Sequence, residues 1–107
     1  MFTVVYRFEV RANREMEFIE HWAALTKLIK QFEGGLGSRL HKSDQTIYHA
    51  YAQWPDKNTW EKSGDNMPPE ATAIRESMRE CIISSSTVLE MDVVKDLLVH
   101  PTNGNKK

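Results

Sequence analysis

His49 and Tyr51 stand two residues apart in the stretch 46–54, whose side chains alternate in character as those of a β-strand do. Ile47, His49, Tyr51 and Gln53 therefore share one face, while Tyr48, Ala50, Ala52 and Trp54 share the other. An imidazole and a phenol side by side could act as base and hydrogen-bond donor in a proton abstraction, with Arg39 or Arg7 as the positive group facing the anion produced. Arg7, His41, Gln53 and Trp60 complete the candidate binding residues around them. The same pattern also fits a structural role, in which His49, Tyr51 and Gln53 fill an interface while Arg7 and Arg39 pair with Glu90 and Asp92.

Two further features could bear on chemistry. His21 follows Glu17 by one helical turn, but a carboxylate and imidazole at this spacing with no second pair usually mark a solvated helix face, so no metal is expected. Cys81 is the only cysteine, which excludes an internal disulfide and every multi-cysteine metal motif, and it is expected to pack as a small hydrophobe.

The elements that must position these residues follow from periodicity. Residues 2–10 alternate as a strand, with Phe2, Val4, Tyr6, Phe8 and Val10 on its apolar face. A helix is predicted to begin near Arg14, with Asn13 as candidate N-cap and Glu15 and Glu17 in the first turn. Phe18, Trp22, Leu25 and Ile29 form its apolar stripe, centred on Trp22. Gly34 and Gly35 end that helix, 36–43 reads as a second strand, Asp44 and Gln45 make a turn, and 46–54 is the third strand, stopped by Pro55. A short helix over 56–63 capped by Asp56, a loop over 64–69 and a helix over 69–83 come next. Ser84–Ser86 are expected to break that helix, and 87–98 reads as a last strand.

This order, strand, helix, strand, strand, helix, strand, predicts an α+β ferredoxin-like βαββαβ unit with an antiparallel sheet over residues 1–99 and a frayed tail over 100–107. At 107 residues one domain is expected to bury about two thirds of its unfolded surface, enough for a core. Helices cover one sheet face. The other would bear Arg7, Arg39, His41, His49, Tyr51, Gln53, Glu90 and Asp92, a set too rich in rings for open water, so a second copy of the sheet is expected to cover it in a homodimer. A net charge of -1 argues against nucleic acid, and the N-terminal run broken at Arg7 fits neither a secretory signal nor a membrane span, so a cytoplasmic protein is expected.

The segments YRFEV (6–10), EMEFIEHWAALTKLIKQF (15–32), GGLGSRLHKS (34–43) and YHAYAQWPDKNTWE (48–61) together resemble the antibiotic biosynthesis monooxygenase family. The resemblance implies a dimeric α+β barrel of two ferredoxin-like sheets and oxidation of a small phenolic or quinol-like aromatic by O2 without metal or flavin. On that reading His49, Tyr51 and Arg39 carry catalysis. The alternatives are a non-catalytic barrel binding a small hydrophobic ligand and a small-metabolite isomerase using His49 as proton shuttle. Haem-degrading relatives of the same superfold use an Asn near the first strand, a Trp over the haem and an iron-ligating His on the later helix. Here Tyr6 and Arg7, and Ser63, stand near the first two places and no His lies between His49 and His100, so haem chemistry is disfavoured.

Overall fold

The alternation at the N-terminus becomes β1 (Phe2–Val10), one of the two inner strands of the sheet in the computed structural model, which describes residues 1–98. Helix α1 (Glu15–Phe32) follows, then β2 (Gly37–Lys42), β3 (Ile47–Trp54), the short α2 (Lys57–Glu61), α3 (Glu70–Glu80) and β4 (Ile82–Asp92). The strands form one sheet in the order β2-β3-β1-β4, antiparallel throughout, which is the expected ferredoxin-like arrangement with one short helix added. The tail expected at 100–107 lies outside the described residues.

Strand parity works as predicted on β1 and β3. Tyr48, Ala50, Ala52 and Trp54 are buried, whereas Ile47, His49, Tyr51 and Gln53 are only half-buried. On β1, Phe2, Val4, Phe8 and Val10 are buried under the helices. Phe18 is fully buried between them, its ring centroid 5.2 Å from Phe8 and 5.4 Å from Tyr48. Trp22, by contrast, is half-buried at the margin of this cluster, so the centre of the stripe is Phe18 with Leu25 rather than Trp22.

Boundaries depart from the sequence reading at three places. Asn13 adopts a left-handed φ of 70°, which asparagine tolerates, and so makes the turn before α1. Arg14 occupies the N-cap without a side-chain cap, its guanidinium drawn 3.0 Å from Glu17 instead. Helix α3 ends at Glu80, not at 83, and Ser84–Ser86 do not break it. They belong to β4, opposite Glu9, Phe8 and Arg7 respectively, because backbone pairing with β1 outweighs the weak strand preference of serine. The same strand stops at Asp92 rather than running to Leu98.

The β1–β4 ladder carries two register shifts, one between Val5 and Tyr6 and one between Glu9 and Val10. At the first, β4 steps from Thr87 to Leu89 while β1 advances a single residue, which leaves Val88 as the extra residue of a bulge. Beyond it Leu89 and Met91 pair with Val5 and Thr3 on the outer face, and Glu90 and Asp92 pair with Val4 and Phe2 on the helix side. Glu90 and Asp92 are therefore not on the face with Arg7 and Arg39, contrary to the sequence reading. Glu90 reaches Lys57 at 3.6 Å instead.

Helix α2 begins as predicted at Asp56, whose Oδ1 accepts from the Thr59 backbone N–H at 2.7 Å and from its hydroxyl at 2.8 Å. These bonds, the backbone one foremost, hold the Asp56 carboxyl below the ordinary aspartate range. A lowered folded value means the contribution is complete above the unfolded pKa and lost as pH falls through the folded one. Asp56→Asn, which keeps a capping oxygen but cannot titrate, is expected to flatten that part of the acid unfolding profile, measured by circular dichroism from neutral pH downward.

Candidate active site

Small residues open a space where the helices meet the sheet. Ala52 on β3 stands beside Val4 on β1, and its small side chain borders the space beneath α1. The result is a cavity of about 230 Å³ lined by Tyr6, Phe8, Trp22, Leu25, Ile29, Ala52, Trp54 and Met78. Thr26, Lys30, Ser38 and Gln53 add polar groups, with exposed Lys30 marking its mouth. Gly35 packs against the wall, where an added Cβ would come within 3.1 Å of Ile29 and 3.5 Å of Trp54. The volume lies below the ~300 Å³ at which pockets for drug-sized ligands begin, so it suits a small ring system.

Tyr6 places a phenol on the wall of this largely apolar space. Its hydroxyl oxygen accepts a hydrogen bond from Trp60 Nε1 at 2.8 Å, and Trp60 is in turn held by Phe2, ring centroids 5.6 Å apart. The indole therefore fixes the phenol from one side and leaves its O–H proton to donate elsewhere. Burial raises the Tyr6 phenol above its ordinary pKa, Trp60 partly offsets this, and Glu90 adds to it. Tyr6 is thus a neutral, oriented donor at physiological pH.

The sheet divides the sequence-selected residues between its two sides. His49, Tyr51, Arg39, Arg7 and His41 lie on the outer face, where Arg7 is in register with His49, His49 with His41, and Tyr51 with Arg39. Ser43 Oγ contacts His49 Nδ1, and His41 Nδ1 lies 3.3 Å from the His49 carbonyl oxygen, to which it donates as the N–H tautomer. Gln53, near the end of β3, lines both the cavity and a shallow outer cleft with Arg39 and Tyr51. Trp60 bears on the cavity through Tyr6. Sequence reasoning passed over Tyr6, Trp22 and Met78. A signal for Tyr6 was available, since a tyrosine among Phe and Val on a buried strand face brings a hydroxyl that needs a partner.

The ferredoxin-like sheet with an apolar cavity under its helices defines a class, and the comparisons narrow it. The family model described as antibiotic biosynthesis monooxygenase matches residues 1–77, and the chain belongs to that family. No curated protein matches it. Among solved structures it is similar to SnoaB, a cofactor-independent oxygenase from Streptomyces nogalater, at 18% identity and a TM-score of 0.71, over 90% of this chain and 95% of that one. A candidate antibiotic biosynthesis monooxygenase from Caulobacter crescentus CB15 gives 18% identity and a TM-score of 0.71, over 88% and 90%. Rv0793 from Mycobacterium tuberculosis gives 11% identity and a TM-score of 0.68, over 91% and 98%. At these identities the likeness establishes the fold. Among the described residues no helix is long and apolar enough to cross a membrane.

Proposed function

We propose that the chain is a cofactor-independent monooxygenase that oxidises a small phenolic or quinol-like aromatic with O2 in the cavity beneath its helices. The observation that carries this reading is the apolar cavity with a single oriented phenol, Tyr6, on its wall. Family membership and the likeness to a cofactor-independent oxygenase support it. A phenol bound there would lose its hydroxyl proton to solvent at the mouth, favoured by the Lys30 ammonium and by a hydrogen bond from Tyr6 to the phenolate oxygen. The electron-rich ring itself reduces O2: one oxygen atom bonds to ring carbon, and the other leaves as water with the hydrogens lost from ring and hydroxyl. The product is a quinone.

The test is O2 uptake by metal-free protein offered a panel of quinols and polycyclic phenols whose binding has been established separately. Uptake with quinone formation supports the oxygenase. Binding without uptake would sink it and leave a ligand-binding cavity. Filling the space gives a second check. Ala52→Leu is expected to abolish binding of the aromatic with little change in unfolding midpoint, because the added carbons enter a void rather than a packed core.

Pairing of two copies through the outer sheet face, in the cytoplasm, belongs to the same reading. Val5, Tyr51, Leu89 and Met91 form an apolar band across that face, and Leu89 is 52% exposed in the single chain. Sedimentation at micromolar concentration checks it, and a folded monomer under those conditions would refute it.

A further inference from the structure

We infer that the outer sheet face holds a binding site for the oxyanion group of a small molecule, formed by Arg7, Arg39 and the imidazole of His49. The site follows from register. Arg7 on β1 is directly opposite His49 on β3, and Arg39 on β2 is directly opposite Tyr51, the next outward-facing residue of β3. Arg7 and Arg39 thus flank β3 from its two neighbouring strands on a diagonal, about 12 Å apart at two strand spacings across and two residues along, a gap that their long side chains can close from both sides. An anion above β3 would meet two guanidiniums together with His49 and the Tyr51 hydroxyl. Guanidiniums match planar and tetrahedral oxyanions with paired N–H donors.

Among the described residues the two guanidiniums of this face form no ion pair. The ion pairs among the described residues are Arg14–Glu17 and Lys57–Glu90, so neither Arg7 nor Arg39 has a carboxylate at ion-pair distance. The bulge at Val88 is the reason, because it turns Glu90 and Asp92 to the helix side. Glu9 shares the face but lies two positions along β1, and Asp96 lies in the segment that passes Tyr51 at the other end. Arg7 is also half-buried on an inner strand, where a guanidinium loses hydration without gaining a partner. The two guanidiniums stand on either side of β3, and an oxyanion between them would be attracted by both. If two copies pair by this face, both sets of guanidiniums come together and the same oxyanion offsets their repulsion.

The experiment is titration of the intact chain with inorganic phosphate and, separately, with acetate, at constant ionic strength set by chloride, followed by backbone amide shifts. Saturable binding centred on Arg7, Arg39 and His49 is expected. Preference for phosphate indicates a phosphate-type ligand, and preference for acetate a carboxylate. Arg7→Gln and Arg39→Gln are each expected to weaken binding about 10-fold or more, the usual consequence of losing a charge-assisted hydrogen bond. Arg7→Lys, which keeps charge but loses the paired donors, is expected to fall between. Lys27→Gln on exposed α1 serves as control. Shifts that do not saturate with either anion, or a loss in Lys27→Gln equal to that in the arginine variants, would overturn the inference.

Discussion

Tyr6→Phe is expected to lower turnover of a phenolic substrate by about 10²-fold to 10³-fold, the usual loss when one donor to a developing oxyanion is removed. The fold should survive, because the ring keeps its place beside Phe8 and only the hydroxyl between Trp60 and the cavity is lost. The substitution also strands Trp60 Nε1, so a modest fall in unfolding midpoint accompanies the loss of activity. The informative comparison is His49→Ala, measured with the same substrate. His49 is on the far side of the sheet from the cavity, and the cavity assignment requires it to have the smaller effect. Were His49→Ala to abolish turnover while Tyr6→Phe left it intact, the chemistry would belong to the outer face, with His49 as base.

Phe18→Ala is expected to cost about 3 to 5 kcal/mol, the range for truncating a buried aromatic ring. Phe18 has no exposed surface and touches both Phe8 and Tyr48, so its removal opens a void between α1 and the two inner strands at once. Trp22→Ala should cost less, since half of that side chain's surroundings are already cavity or solvent, and should instead weaken binding of the aromatic. Chemical denaturation of the two variants decides this. Equal midpoints would mean that the apolar stripe of α1 is centred where its sequence suggests, on Trp22.

Those two residues also mark what could be read from the chain. The stripe of α1 and the alternation of β1 and β3 are local patterns fixed by helix and strand geometry, so element order, sheet type and the outward aim of His49 and Tyr51 were legible. Ser84–Ser86 were not, because a serine run has little strand preference and becomes strand only by pairing with a β1 distant in sequence. The cavity was invisible for a different reason. It borders a small residue, Ala52, and whether a neighbour fills such a space depends on how α1 lies over the sheet. Glu90 and Asp92 were assigned to the wrong face, since nothing in unbroken alternation indicates the extra residue at Val88.

The two irregularities in the β1–β4 ladder carry a consequence for how this chain can change in length. In a regular strand, losing one residue rotates everything beyond it by half a turn and exchanges its inner and outer side chains. At each register shift two residues of β4 already oppose one of β1, so excision of Val88 or Ile83 restores a plain ladder and leaves every other side chain on its present face. Excision of Ser85 would invert one arm of the strand. Single-residue gaps in β4 among relatives should therefore fall at these two points, and an engineered one-residue deletion should be tolerated there and nowhere else along the strand.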